Sequence, residues 1–158
     1  MSTFKQTASL EDYLEAIIVL NQDGKAATIT ALSKSIGVKK PSVEWAINKL
    51  SDAGLVVHKP YKDVKLTPEG TKIADEVYRR HKILRSFLVN VLEIDPDIAE
   101  ADACRMEHLL SEESLKRLEK FMDFMLNCHP GNLVWHETFQ RYLEYGDEDI
   151  ELKARFNQ

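Results

Sequence analysis

Two cysteines in 158 residues, Cys104 and Cys128, are too few for a disulfide framework, and no apolar run approaches the roughly 20 residues a transmembrane helix needs. The opening residues, Met1 to Thr7, include no apolar segment of the export-signal kind. These absences exclude a stapled secreted scaffold and a membrane-spanning chain; no membrane partner is expected, and the cytoplasm is the expected location. Positive charge is also in the minority, with 21 Lys and Arg against 26 Asp and Glu. A net charge of -5 taken alone argues against a nucleic-acid partner, so its distribution matters more than its sum. What remains, 44% hydrophobic and 30% charged residues, is ordinary for one medium domain or two small ones sharing a core.

The distribution is uneven. Residues 1 to 80 hold 12 Lys and Arg against 10 Asp and Glu, whereas residues 81 to 158 hold 9 against 16. Between Lys25 and Lys72 there are nine lysines and four acids, which puts a basic patch in the N-terminal half.

The stretch Asp102-Ala103-Cys104-Arg105-Met106-Glu107-His108-Leu109-Leu110-Ser111 carries the densest chemistry. If it is helical, Cys104, Glu107 and His108 fall at i, i+3 and i+4, placing a thiol, a carboxylate and an imidazole on one side. A cation could bridge all three, since its charge offsets two desolvated anions. The alternative is an amphipathic helix whose polar side merely meets water. Further donors from elsewhere in the chain would decide between them.

In chain order, a helix is expected from about Leu10 to Asn21, capped by Ser9 with Asp12, its apolar stripe formed by Leu10, Tyr13, Leu14 and Ile17. Asp12 and Glu15 share another side. Taken singly, Asp12 reads as a cap and Glu15 as a solvated acid. A short helix with Thr30 as N-cap then ends at Gly37. Pro41 opens a second helix carrying Val43, Ala46, Ile47 and Leu50, and Gly54 ends it. Two helices joined by a glycine turn form a helix-turn-helix. Leu55 to Lys59 and Val64 to Leu66 read as strands around the turn Pro60-Tyr61-Lys62-Asp63, which makes a wing.

The expected fold is therefore mainly α: a winged helix-turn-helix over residues 1–72, then a helical domain over 73–158. Lys39, Lys40, Pro41, Ser42 and Val43 stand at the start of the second helix, with Lys39 and Lys40 assigned to phosphates and Ser42 with Val43 to base edges. Lys59, Lys62 and Lys65 on the wing would neutralise phosphates beside the groove. Helix-turn-helix geometry also occurs without DNA binding, but here helix, turn, Pro-led helix and basic hairpin follow in one order.

Thr67-Pro68-Glu69-Gly70 is expected to cap a long helix to about Glu93 with Ile73, Val77, Leu84, Leu88 and Val91 along its apolar side. His81 lies midway, between Arg80 and Lys82. After Asp95-Pro96 comes the Cys104 helix, then one starting at Ser111 with Leu115, Leu118, Phe121, Met122 and Met125 as a core or dimer stripe.

This order of elements, with Asp12-Tyr13-Leu14-Glu15, the winged helix, Tyr78-Arg79-Arg80-His81, the Cys104 to Ser111 stretch and Cys128-His129-Pro130-Gly131-Asn132, resembles the diphtheria toxin repressor family of metal-activated transcriptional regulators. The resemblance covers about residues 8 to 132. It implies a homodimer, each subunit with a DNA-binding domain and an α-helical dimerisation domain, and divalent metal bound between them as corepressor. Family targets are typically operators of metal-uptake genes in double-stranded DNA. No SH3-like third domain is expected, a layout similar to that of the manganese-responsive branch.

Carried over residue by residue, Asp12, Glu15, His81, Glu107 and His108 match the manganese branch, which has glutamate where Cys104 stands. The iron branch has cysteine there but methionine at the Asp12 position. Its ancillary site keeps His81, yet Arg85 stands for its glutamate and Glu100 for its histidine, leaving Glu100 as a donor to a second ion. Cys128 and His129 read as structural, and His58 and His136 as surface residues. Gly146-Asp147-Glu148-Asp149 reads as the solvated end of a last helix, followed by a tail.

The thiolate of Cys104 favours Fe(II) as corepressor, with Mn(II) next, and Zn(II) or Co(II) expected to substitute in vitro. A metallohydrolase would need a separate general base, oxyanion donors and a pocket motif, none of which the sequence offers. A metal-free winged-helix regulator answering a small organic ligand is the other alternative.

Overall fold

A computed structural model describes residues 9–59, 62–125 and 139–144. Its elements are α1 (Leu10–Gln22), α2 (Ile29–Ile36), α3 (Lys40–Asp52), β1 (Val56–Val57), β2 (Lys65–Leu66), α4 (Pro68–Asn90), α5 (Pro96–Met106) and α6 (Glu112–Asp123). The mainly helical winged helix-turn-helix expected from sequence is present. The chain forms two compact units, Met1–Lys82 and Ile83–Gln158, dividing inside α4. The boundary expected at residue 72 also lies in α4, nearer its start.

In the first unit, α1 starts with a reciprocal capping box: Ser9 Oγ accepts from the Asp12 N–H at 3.2 Å, and Asp12 Oδ2 accepts from the Ser9 N–H at 2.8 Å. The N-cap of α2 is Thr28 rather than Thr30, because the Thr28 hydroxyl accepts the Ala31 N–H at 3.1 Å and so starts the helix two residues earlier. Gly37 ends α2 at φ 75°, a left-handed turn that a side chain would strain. Pro41 sits in the first turn of α3, and Val43, Ala46, Ile47 and Leu50 turn inward at 0 to 1% exposure. They join Leu14, Ile17, Leu32, Val56, Val64 and Ala74 in one core. Each such buried aliphatic side chain contributes about 1.5–3 kcal/mol.

The wing is shorter than expected. Val56 pairs antiparallel with Leu66, and Val57 with Lys65. Pairing stops there because the Val64 N–H donates instead to the Ala27 carbonyl at 2.9 Å, outside the hairpin. Thr67 ties wing to helix: its hydroxyl donates to the Gly54 carbonyl at 2.8 Å and accepts from the Gly70 N–H at 3.1 Å, capping α4. A Cβ on Gly70 would lie 1.9 Å from the Leu55 carbonyl oxygen, so α4 and the wing approach as closely as glycine allows. Ile73, expected in the core, is 37% exposed, and Ala74 takes the buried position beside it.

In the second unit, Leu84, Leu88, Ala99, Ala103 and Leu115 form a separate core, with Met106, Leu110 and Leu118 against it. Asp95 Oδ1 caps α5, accepting from the Asp97 and Ile98 N–H groups at 2.9 and 3.3 Å, with Pro96 at the first helical position. Along α6, Leu115 and Met122 are buried while Phe121 and Phe124 are exposed. Among the described residues, no helix is long and apolar enough to cross a membrane.

Candidate metal centre and nucleic-acid surface

The first unit offers three of the expected donors. Asp12 and Glu15 lie one turn apart on α1, and His81 comes from the middle of α4. Its imidazole Nδ1 is 3.6 Å from Glu15 Oε1, with side-chain exposures of 8% and 12%, so Glu15 is not the solvated acid its position suggests. Asp12 is a cap as expected, its two carboxylate oxygens accepting from the Ser9 N–H and hydroxyl. Beside it, burial and then the Asp12 charge push the Tyr13 phenol upward, keeping it neutral. Part of the basic run around His81 is paired within α4. Arg79 and Arg80 both donate to Glu76, at 3.1 and 2.9 Å, and the Arg79 hydrogen bond chiefly holds that carboxyl below its ordinary range against the opposing effect of burial.

The second unit offers the rest. Contrary to a helix running through the Cys104 stretch, α5 ends at Met106, and Glu107 is its C-cap. The Glu107 N–H still reaches the Ala103 carbonyl at 3.0 Å, but those of Leu109 and Leu110 both turn to Met106, at 3.0 and 3.3 Å, so His108 lies in a turn. Glu107 is 1% exposed, and its carboxylate is 3.2 Å from His108 Nε2. Cys104 is half-buried and forms no disulfide among the described residues. Among the described residues, no group of three mutually close donors includes Cys104 or Glu100. Glu100 instead accepts from Arg85 Nε at 2.7 Å on the surface.

Carboxylates and imidazoles together suit Mn(II) and Fe(II). A divalent ion would also offset the charge of a carboxylate as buried as Glu107. The donor chemistry therefore fits a metal.

On the nucleic-acid side, Lys39, Lys40, Pro41 and Ser42 are exposed at the start of α3. Val43 is not: at 0% exposure it packs in the core, so it cannot meet a base edge as expected, and Ser42 alone of that pair can. Lys59, Lys62 and Lys65 are exposed and, with Val57 and Asp63, line an open depression on the wing. His58 departs from its surface reading. It is half-buried, and among the described residues its Nδ1 has no hydrogen-bond partner.

Residues 5–64 match the iron-dependent repressor N-terminal DNA-binding domain, and residues 67–136 match the iron-dependent repressor metal-binding and dimerisation domain. The chain belongs to the iron-dependent repressor family. An uncharacterised HTH-type transcriptional regulator of Methanocaldococcus jannaschii is 36% identical over 116 residues, covering 73% of this chain and 93% of that protein. The transcriptional regulator MntR of Escherichia coli is 38% identical over 112 residues, 71% of this chain and 72% of its own. Among solved structures, a manganese-dependent transcriptional repressor in complex with manganese superimposes with a TM-score of 0.68 at 31% identity, covering 73% of this chain and 53% of that one. The chain thus spans about half the length of that structure.

Iron-dependent repressors are metal-dependent transcriptional regulators and not enzymes, which removes the metallohydrolase reading, and the family's metal-binding domain speaks against the metal-free alternative. Cys128, His129, His136 and the acidic stretch after Gly146 lie outside the described residues. Sequence reading passed over an exposed aromatic on α3, Trp45. Its signal was available, since position 45 falls outside the inward stripe of Val43, Ala46, Ile47 and Leu50.

Proposed function

We propose that this chain is a metal-activated repressor that binds double-stranded operator DNA as a homodimer and silences metal-uptake genes, with Fe(II) or Mn(II) as corepressor. One observation carries the reading: each compact unit holds a close carboxylate–imidazole pair, Glu15 with His81 and Glu107 with His108. The proposed ion takes donors from both pairs and from Asp12, with Cys104 completing the set. Glu100 is the proposed donor to a second ion, for which it would have to leave Arg85. A divalent ion held by Asp12, Glu15 and Glu107 would supply positive charge against their three carboxylates.

Donors drawn from both units make the DNA-binding half and the dimerisation half a single body. Two recognition helices then meet DNA already spaced, with no ordering cost left to the complex. A coupling of about 1–3 kcal/mol changes operator affinity about 5- to 150-fold. Such a repressor works where the chromosome is, so the cytoplasm is its proposed location.

The test is a gel shift on the native promoter with Mn(II) or Fe(II), with and without chelator. The specific complex is expected to vanish on chelation, and Glu107→Gln is expected to imitate chelation while leaving the dimer intact by sedimentation. An equally tight complex in metal-free protein would overturn the proposal.

A further inference from the structure

The outward face of α3 carries a large apolar group with no structural task. Trp45 is 61% exposed, while the four residues that fix α3 to the core, Val43, Ala46, Ile47 and Leu50, lie on the opposite side. Helical spacing sets Trp45 in one row with Pro41, Asn48 and Lys49, all exposed. The core makes no use of this side chain.

Charge around the row indicates what covers it. Lys39, Lys40 and Lys49 are exposed along the same helix, Lys59, Lys62 and Lys65 on the wing, and Glu44 is the sole acid between Lys39 and Lys49. That is a polyanion's counter-surface, and all of it but Lys65 falls within residues matched to a DNA-binding domain. Trp45 lies about 7 Å along the axis from the start of α3, beyond the lysines suited to phosphates and at the depth where base edges are met. An indole has one N–H donor but no charge to set against a phosphate. Its apolar face suits the one apolar group on a major-groove edge, the thymine C5-methyl.

We propose that Trp45 is a specificity-determining residue whose indole packs on a thymine methyl in the operator major groove. The proposal rests on the operator-binding reading above and adds to it which base is read and by what. Ser42 supplies a hydrogen-bonding group one turn earlier on the same face, so polar and apolar readout would fall on neighbouring base pairs.

The test uses the Mn(II)-loaded full chain and a duplex selected from a random-sequence pool by the wild-type protein. Thymines of the selected duplex are replaced by deoxyuridine, one symmetric pair at a time, and binding is followed by fluorescence anisotropy. At one pair, wild type is expected to lose about fourfold per methyl, the transfer value of one buried CH2 group, or about 15-fold over both half-sites. Trp45→Ala should bind the selected duplex at least about tenfold more weakly, bind random-sequence duplex as wild type does with the same salt slope, and ignore that deoxyuridine pair. Trp45→Phe should keep part of the methyl response. Thermal melting of Trp45→Ala should match wild type, as befits an exposed side chain.

An unchanged deoxyuridine response in Trp45→Ala, or an equal loss on random DNA, would overturn the assignment while leaving operator binding intact. A changed oligomeric state of Trp45→Ala on sedimentation would assign the indole to a contact between protein chains and overturn it equally. A pool that yields no preferred sequence would overturn operator recognition itself, and this inference with it.

Discussion

The imidazole of His81 on α4 lies 3.6 Å from the Glu15 carboxylate on α1, and both side chains are largely shielded from water. Neither residue is informative alone; together they form half of a proposed metal site before any ion arrives. Glu15→Gln keeps the shape and removes the charge. The half-saturating Mn(II) concentration, read by titration calorimetry, is expected to rise by at least about 10-fold, since even an outer-shell partner is commonly worth 10- to 100-fold. Unchanged affinity would take Glu15 out of the donor set.

Cys104 bears on which metal activates the protein. A thiolate adds more to binding of Fe(II), Co(II) or Zn(II) than of Mn(II), so Cys104→Glu is expected to lower the Mn(II) concentration needed for DNA binding relative to that for Fe(II). Anaerobic anisotropy on operator DNA with each metal buffered measures the ratio. If the ratio of half-activating concentrations stays constant, the sulfur has no part in selectivity.

Phosphate and base contacts separate by their salt dependence. Lys40→Ala is expected to weaken binding to operator and random DNA alike and to reduce the salt slope by about 1, whereas Ser42→Ala should mainly erode discrimination between sequences. Equal slopes for Lys40→Ala and wild type would remove Lys40 from the phosphate contacts.

Gly70 tests how the wing is held. Alanine would gain about 1 kcal/mol in helix propensity, but its Cβ would stand 1.9 Å from a backbone oxygen, that of Leu55, which no rotamer change can relieve. The clash is expected to prevail, leaving Gly70→Ala destabilised by about 1–3 kcal/mol in thermal denaturation. An unchanged melting temperature would mean that the start of α4 moves freely away from the wing.

Sequence by itself determined the element order and most element ends, because these depend on neighbours a few residues apart. Ser9 with Asp12, Gly37, Pro41, Thr67 with Pro68, Asp95 with Pro96, and Ser111 each act within a turn, and each marks an end where expected. The spacing of Val43, Ala46, Ile47 and Leu50 likewise named the buried side of α3. That stripe already contradicted a base-edge role for Val43, since one side chain cannot serve the core and the groove together.

Only the tertiary structure decided what residues distant in sequence do to one another. The wing pairs over two residues because Val64 bonds to Ala27, and α5 stops at Met106 as the chain turns toward Ser111. Glu100 meets Arg85, His81 meets Glu15, and Arg79 and Arg80 spend their charge on Glu76. Periodicity gives a side chain's direction around its own helix. It carries no information about which other helix lies across from it, and that pairing is fixed by the packing of the whole core.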